Sequence, residues 1–349
     1  MQTPTPVRET VNMHKTTELF RRLHEVTTKD GMNLIMTHKT PAHTKPLAPV
    51  ILVHGLGQNR YSWTLSKRSL ENFLVDQGFE TFNVELRGHG LSRANGCEYP
   101  THFETYLFYD MPAVFEAVRK IADGRKAFYI GHSLGGTISY CVAADFQDTL
   151  AGVVSIAGPF SMGKGNLVLK LLAKTAVLLD KVTPLRLLHP ETFYIDLVGV
   201  VAKYSLFWVD NRFNRIPLQV WWPGSIERDI LLERIEKGFD RTSLNVAWLL
   251  VEWASSGTFH SSDGVTTYED RIANLKVPIL FVAGDRDYAV PEAAIREAYE
   301  KAGSPDKTLK VFGNEFSGLH WGHCDLICGR HAPRIVWPYL LQWMRERVV

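Results

Sequence analysis

Cysteine is scarce in this chain of 349 residues: Cys97, Cys141, Cys324 and Cys328 are the only four. Their number and scatter exclude a disulfide scaffold and lead to an expectation of reduced thiols in a cytoplasmic protein. Excess charge is equally lacking. Lys and Arg total 39 against 37 Asp and Glu, a net charge of +2, so the basic footprint of a nucleic-acid binder is missing. No run of about 18 apolar residues occurs, and no membrane-spanning helix is expected. The opening Met1-Gln2-Thr3-Pro4-Thr5-Pro6 is polar and proline-broken, unlike a secretory signal. His320, His323, Cys324, Cys328 and His331 cluster in sequence without a recognised zinc spacing, so no metal is expected. There is no Gly-Lys-Ser/Thr and no G-x-G-x-x-G, which disfavours nucleotide binding, and no cofactor is implied.

What is present is apolar material in a particular rhythm. Hydrophobic residues make up 45% of the chain, enough for a sizeable core. Asp30-Gly31 between two β-prone runs predicts a hairpin. Thereafter short apolar runs recur at 50–53, 79–84, 127–130, 153–157 and 279–283, each continuous rather than alternating, as strands buried on both faces of a parallel sheet must be. Helix-compatible stretches such as Asp110 to Ile121 and Leu134 to Phe146 lie between them, which predicts βαβ units and an α/β sheet. From about 160 to 265 the rhythm stops. That stretch is rich in Leu, Val, Trp and Phe, looks mainly helical, and is too long for a plain loop. The expected organisation is therefore a core over 1–159 and 266–349, interrupted by a helical cap over 160–265.

The sharpest motif is Gly131-His132-Ser133-Leu134-Gly135-Gly136. With 26 glycines, chance alone supplies a G-x-S-x-G in roughly a tenth of such chains. Here an apolar strand runs directly into it and a helical stretch leaves it. A serine on so tight a turn needs small neighbours at both flanks, and the helix N-terminus aims backbone N–H groups at the site. With this motif, Val53-His54-Gly55-Leu56-Gly57, Leu86-Arg87-Gly88-His89-Gly90-Leu91-Ser92, Gly284-Asp285-Arg286-Asp287 and Gly322-His323-Cys324-Asp325, the sequence resembles the α/β-hydrolase superfamily, of serine esterase and lipase type with a helical cap. The resemblance implies the α/β-hydrolase fold: a mostly parallel sheet flanked by helices, with the cap inserted. It covers roughly 30–159 and 266–349 and is only loose across the cap.

The resemblance also assigns roles. Ser133 is the implied nucleophile. The backbone N–H groups of Leu56 and Leu134 are the implied oxyanion-hole donors, although a His-Gly pair can also be a simple tight turn. Two aspartates compete for the acid. Members of the superfamily place it at the second carboxylate of such a loop, which favours Asp287 over Asp285. Two histidines compete for the base, and Gly-His-x-Asp before an apolar stretch favours His323 over His320. The order Ser133, Asp287, His323 is the order this fold requires. Glu85 stands where related sequences usually carry an aspartate of structural role. Relatives that are haloalkane dehalogenases or epoxide hydrolases carry aspartate at the elbow, and polyester synthases carry cysteine, so serine argues for acyl transfer through an acyl-enzyme.

The expected activity is cleavage of carboxylic esters with hydrophobic acyl groups. An acyltransferase or serine peptidase on the same triad, and a non-catalytic binding protein of this fold, are the alternatives. The expected partner is a small lipophilic ester, with no nucleic acid. Asn166 to Val182 carries Lys170, Lys174 and Lys181 within about 40° of one another on a helical wheel. A helix packed on the core with its lysines in water is the favoured reading, and peripheral contact with a membrane surface is the alternative. The aromatics Trp221, Trp222, Trp248 and Trp253 read as core or as lining of an acyl pocket.

Overall fold

A computed structural model describes residues 5–182, 192–211, 219–313 and 318–348. Met1 to Pro4 of the polar N-terminus and the stretches 183–191 and 212–218 of the expected cap lie outside the described residues.

Asp30-Gly31 closes a hairpin, as expected. β1 (Val7–Asn12) pairs antiparallel with β2 (Lys15–Thr27), and β2 with β3 (Asn33–Pro41), Thr27 facing Asn33 across the turn. Gly31 has φ +84°, a left-handed conformation that glycine tolerates. The five apolar runs form β4 (Pro49–Val53), β5 (Glu80–Glu85), β6 (Ala127–His132), β7 (Leu150–Ile156) and β8 (Ile279–Gly284). A sixth strand of this block, β9 (Lys307–Phe312), escapes the sequence pattern because it lies at the sheet edge and only Phe312 is fully buried.

The sheet order is β9-β8-β7-β6-β4-β5-β3-β2-β1, continued at the β1 edge by two two-residue strands, Thr64–Leu65 and Arg68–Ser69. From β9 to β5 every neighbour is parallel; from β5 onward the pairing is antiparallel. The sheet is thus parallel where the site is built and antiparallel at its N-terminal edge.

Continuous apolar strands are explained by two cores. Ile51, Val53, Tyr129, Phe281 and Ala283 face one, with Val114 and Val118 of α2 (Met111–Ile121), while α1 (Leu70–Asp76) precedes it in the chain. Val50, Leu52, Phe128, Ile130 and Val282 face the other, against Trp337 and Leu340 near the C-terminus. Side chains alternate across each strand, so a strand covered on both faces must be apolar throughout. α3 (Leu134–Val142) follows β6 and is buried along its entire length.

Between β7 and β8 the described residues are mainly helical, with α4 (Leu167–Val182), α5 (Ile195–Tyr204), α6 (Arg228–Gly238) and α7 (Leu244–Ser256), plus a two-stranded ribbon of Thr192–Phe193 and Thr242–Ser243. α7 is stopped by Gly257 at φ +80°. Trp221 and Trp253 are buried, as core aromatics would be. α4 differs from its favoured reading: Leu167, Leu171, Leu172, Leu178 and Leu179 are all more than half exposed, so most of its leucines are not packed on the core. Among the described residues no helix is long and apolar enough to cross a membrane.

Candidate active site

The site is built where β6 ends. Ser133 has φ +53° and ψ −119°, a strained combination for a residue with a Cβ. Its N–H donates to the Ile156 carbonyl at 2.9 Å, which pins the turn to β7. The flanking glycines are a packing necessity. A Cβ on Gly131 would run into the Gly135 carbonyl, and one on Gly135 into the carbonyl of Val53. Any larger residue at either position would push the helix off the sheet, so G-x-S-x-G here is a statement about backbone approach.

The loop after β4 lies directly against this serine. A Cβ on Gly55 would sit 3.0 Å from Ser133 Cβ, so the backbone at Gly55 passes close to Ser133. Leu134, whose N–H is the other expected donor, begins α3. His54 is fully buried. Its Nδ1 donates to the Gly55 carbonyl at 2.9 Å and its Nε2 accepts from the Leu86 N–H at 3.1 Å. Burial, reinforced by the nearby His89, pushes its pKa down to about 3, so it is a neutral structural strut.

The loops after β8 and β9 bring all four competing acids and bases together, in two pairs. Asp287 Oδ2 lies 2.7 Å from His323 Nδ1, while its Oδ1 accepts from the Val290 N–H at 2.8 Å. Asp285 Oδ2 lies 2.6 Å from His320 Nδ1, while its Oδ1 accepts from the Trp321 N–H at 2.9 Å. The two pairs have different surroundings. Asp287 and His323 are buried, and the His323 ring lies 4.6 Å from that of His132, the residue before Ser133. His320 packs against Trp222 at 5.1 Å and is partly open to solvent.

Three further residues support the site without having been assigned a role from the sequence. His132 Nε2 donates to the His323 carbonyl at 3.2 Å, and burial holds the imidazole well below its usual pKa, so it stays neutral. Asp325 accepts from the N–H groups of Gly322, at 2.5 Å, and Trp222, at 2.8 Å, bracing the turn that presents both histidines. Complete burial raises its pKa to about 7 despite these bonds. Gln58 sits just beyond the Gly55–Gly57 turn and is buried. Asp325 is visible in the sequence as the last residue of Gly-His-x-Asp; His132 and Gln58 cannot be ranked there, because only their neighbours across the fold give them a task.

Glu85 has the structural surroundings expected of it. Its carboxylate accepts from Arg60 Nη1 at 2.9 Å and from the Leu91 N–H at 2.8 Å, joining the loops after β4 and β5. Among the described residues no three His, Cys, Asp or Glu side chains converge as a metal site. Burial raises the Cys324 and Cys328 thiols to about 12 and 11, so neither is a ready thiolate.

Comparison with known proteins follows the same outline. Lipase 3 of Drosophila melanogaster is 23% identical over 93% of this chain and 89% of its own length. Gastric triacylglycerol lipase of Bos taurus is 26% identical over 93% of this chain and 88% of its own. Triacylglycerol lipase 2 of Arabidopsis thaliana is 30% identical, but that match spans 34% of this chain and 32% of the plant protein. Among solved structures, the monoacylglycerol lipase of Paleococcus ferrophilus superposes with a TM-score of 0.58 at 19% identity, over 90% of this chain and all of that one. The profile of the family described as alpha/beta hydrolase fold matches residues 48–325, from the start of β4 to the turn that carries His323. The chain belongs to the α/β-hydrolase family.

Proposed function

We propose that the protein is a serine hydrolase of carboxylic esters with hydrophobic acyl groups. The observation that carries this reading is the buried Asp287–His323 pair, which lies beside the strained Ser133 turn. Ser133 Oγ attacks the ester carbonyl while His323 takes its proton. Asp287 accepts from Nδ1 and stabilises the imidazolium. The N–H groups of Leu56 and Leu134 receive the oxyanion, an arrangement in which one donor contributes about 3 kcal/mol. His323 then returns the proton to the leaving alcohol, and water releases the acid by the same route.

The preference for an apolar acyl group rests on the insertion, read as a cap over 160–265. Ile195 of α5 packs on Gly57 of the oxyanion turn, so apolar surface from this segment reaches the reacting centre. The lipases among the similar proteins support the same substrate class.

Labelling with a fluorophosphonate and turnover of p-nitrophenyl esters from acetate to palmitate test the proposal together. Labelling confined to Ser133, with the rate peaking on a medium or long acyl chain, is expected. A folded protein that neither labels nor turns over any ester would leave a binding protein as the better reading. Products other than free acid on adding alcohol or peptide acceptors would mark a transferase or peptidase.

A further inference from the structure

Arg234 is a charged side chain in an unexpected place. It belongs to α6 of the insertion, yet it is 1% exposed. Among the described residues no carboxylate lies within ion-pair distance of it, and its Nε has no partner. Burying a guanidinium is costly, and a neutral side chain would avoid that cost. Its two bonds run into the oxyanion turn. Nη1 donates to the Tyr61 carbonyl and Nη2 to Gln58 Oε1, both at 3.1 Å.

Gln58 is the hub. Its Oε1 also accepts from Ser62 Oγ at 2.8 Å, faces His132 Nδ1 at 3.4 Å, and would lie 3.2 Å from a Cβ on Gly55. Through His132 the chain of contacts reaches the His323 backbone. The end of α6 holds the same turn again: the Asp240 N–H donates to the Gly57 carbonyl at 2.7 Å, and Asn59 Nδ2 donates to the Lys237 carbonyl at 2.8 Å. The insertion therefore holds Gly57, Gln58, Asn59 and Tyr61; Lys237 of α6 lies over the Tyr61 ring at 5.8 Å, and among the described residues Arg234 is the only charged side chain of the insertion that hydrogen-bonds to them. A planar fork serves a carbonyl and an amide oxygen at once from two nitrogens held in one plane, which a single ammonium matches less well. Its charge, with no anion to neutralise it, favours negative charge developing nearby.

We infer that Arg234 is a positioning residue for the reaction, fixing the oxyanion turn through Gln58 and Tyr61 and favouring charge build-up on the substrate carbonyl oxygen. This rests on the ester-hydrolase reading. The test compares wild type, Arg234→Met, Arg234→Lys and Gln58→Leu on a p-nitrophenyl ester. Each is also titrated with a trifluoromethyl ketone, which mimics the tetrahedral state, and with a planar amide analogue of the substrate. Arg234→Met is expected to lower kcat on the order of 100-fold with KM about unchanged. Ketone affinity should fall in parallel while amide affinity holds, and Arg234→Lys should recover part of the loss. Folded Arg234→Met with wild-type kcat, or with ketone and amide affinity lost equally, overturns the inference. If Arg234→Met does not fold, Gln58→Leu carries the test: the same split is expected, and wild-type kcat overturns it. A wild-type protein without labelling or turnover instead removes the ester-hydrolase reading and the inference with it.

Discussion

Two loops of this protein carry two His–Asp pairs of almost the same geometry, and only one of the pairs is buried beside the serine turn. Asp287–His323 and Asp285–His320 differ by 0.1 Å in contact length, and their partners are 36 and 35 residues apart in sequence. What separates them is what each histidine meets next. His323 is enclosed and lies beside the elbow, whereas His320 leans on Trp222 of the insertion, with Arg286 3.8 Å from its aspartate. A His–Asp pair is therefore a way of orienting an imidazole, and its use depends on the third group. In the first pair the proposed third group is Ser133, whose neighbour His132 lies against the His323 ring at the end of β6. In the second the pairing clips the two loops together, helped by the Trp321 N–H on Asp285 and the Arg286 N–H on the Trp321 carbonyl.

Replacing the histidines one at a time is the strongest way to break the comparison. His323→Ala should lower kcat by about 10⁴- to 10⁶-fold, as removal of a triad base does. His320→Ala should leave kcat within about tenfold and cost about 1–2 kcal/mol of stability through the lost bond. Steady-state kinetics with a urea titration of each variant checks both, and an equal collapse in kcat would make the second pair part of the machinery.

The aspartates sharpen the same contrast at smaller amplitude. Asp287→Asn should cost about 10⁴-fold in kcat with KM little changed, because the amide favours the wrong imidazole tautomer. Asp285→Asn should act mainly on stability, read as a shift in the urea midpoint.

The last contrast concerns Asp325, which holds the turn between the two histidines and is read in pH dependence instead of in kcat. Its folded pKa, about 7, is raised by burial above the ordinary aspartate value of 3.8. The folded state therefore binds the proton more tightly than the unfolded chain. The stabilising contribution is complete below pH 3.8 and is lost as pH rises through about 7. Compared with Asp325→Asn, the wild type should lose stability between about pH 4.5 and 8. Parallel urea midpoints for the two proteins at both pH values would show that the carboxyl is not held neutral.

Much of this arrangement is legible in the residues alone. The five apolar runs announce strands covered on both faces, and Gly131 and Gly135 announce backbone contact around Ser133. β1 and β9 are not legible, because strands at or near a sheet edge alternate partly exposed, charged residues with apolar ones and match no buried pattern. The α4 leucines mislead in the opposite sense: an apolar face predicts burial but cannot say whether any surface will come to cover it.

By itself, then, the sequence determined the strand order along the chain, the strained serine turn and the short set of acids and bases from which a site could be made. These are local properties, written in periodicity and in the need for glycine. Which aspartate meets which histidine was decided only by tertiary structure, and so was the task of Gln58 and Arg234, 176 residues apart. Both depend on where the ends of neighbouring strands and an inserted helix come to rest. Residue spacing along the chain does not encode that, and separations of 35 and 36 residues could not have told the two pairs apart.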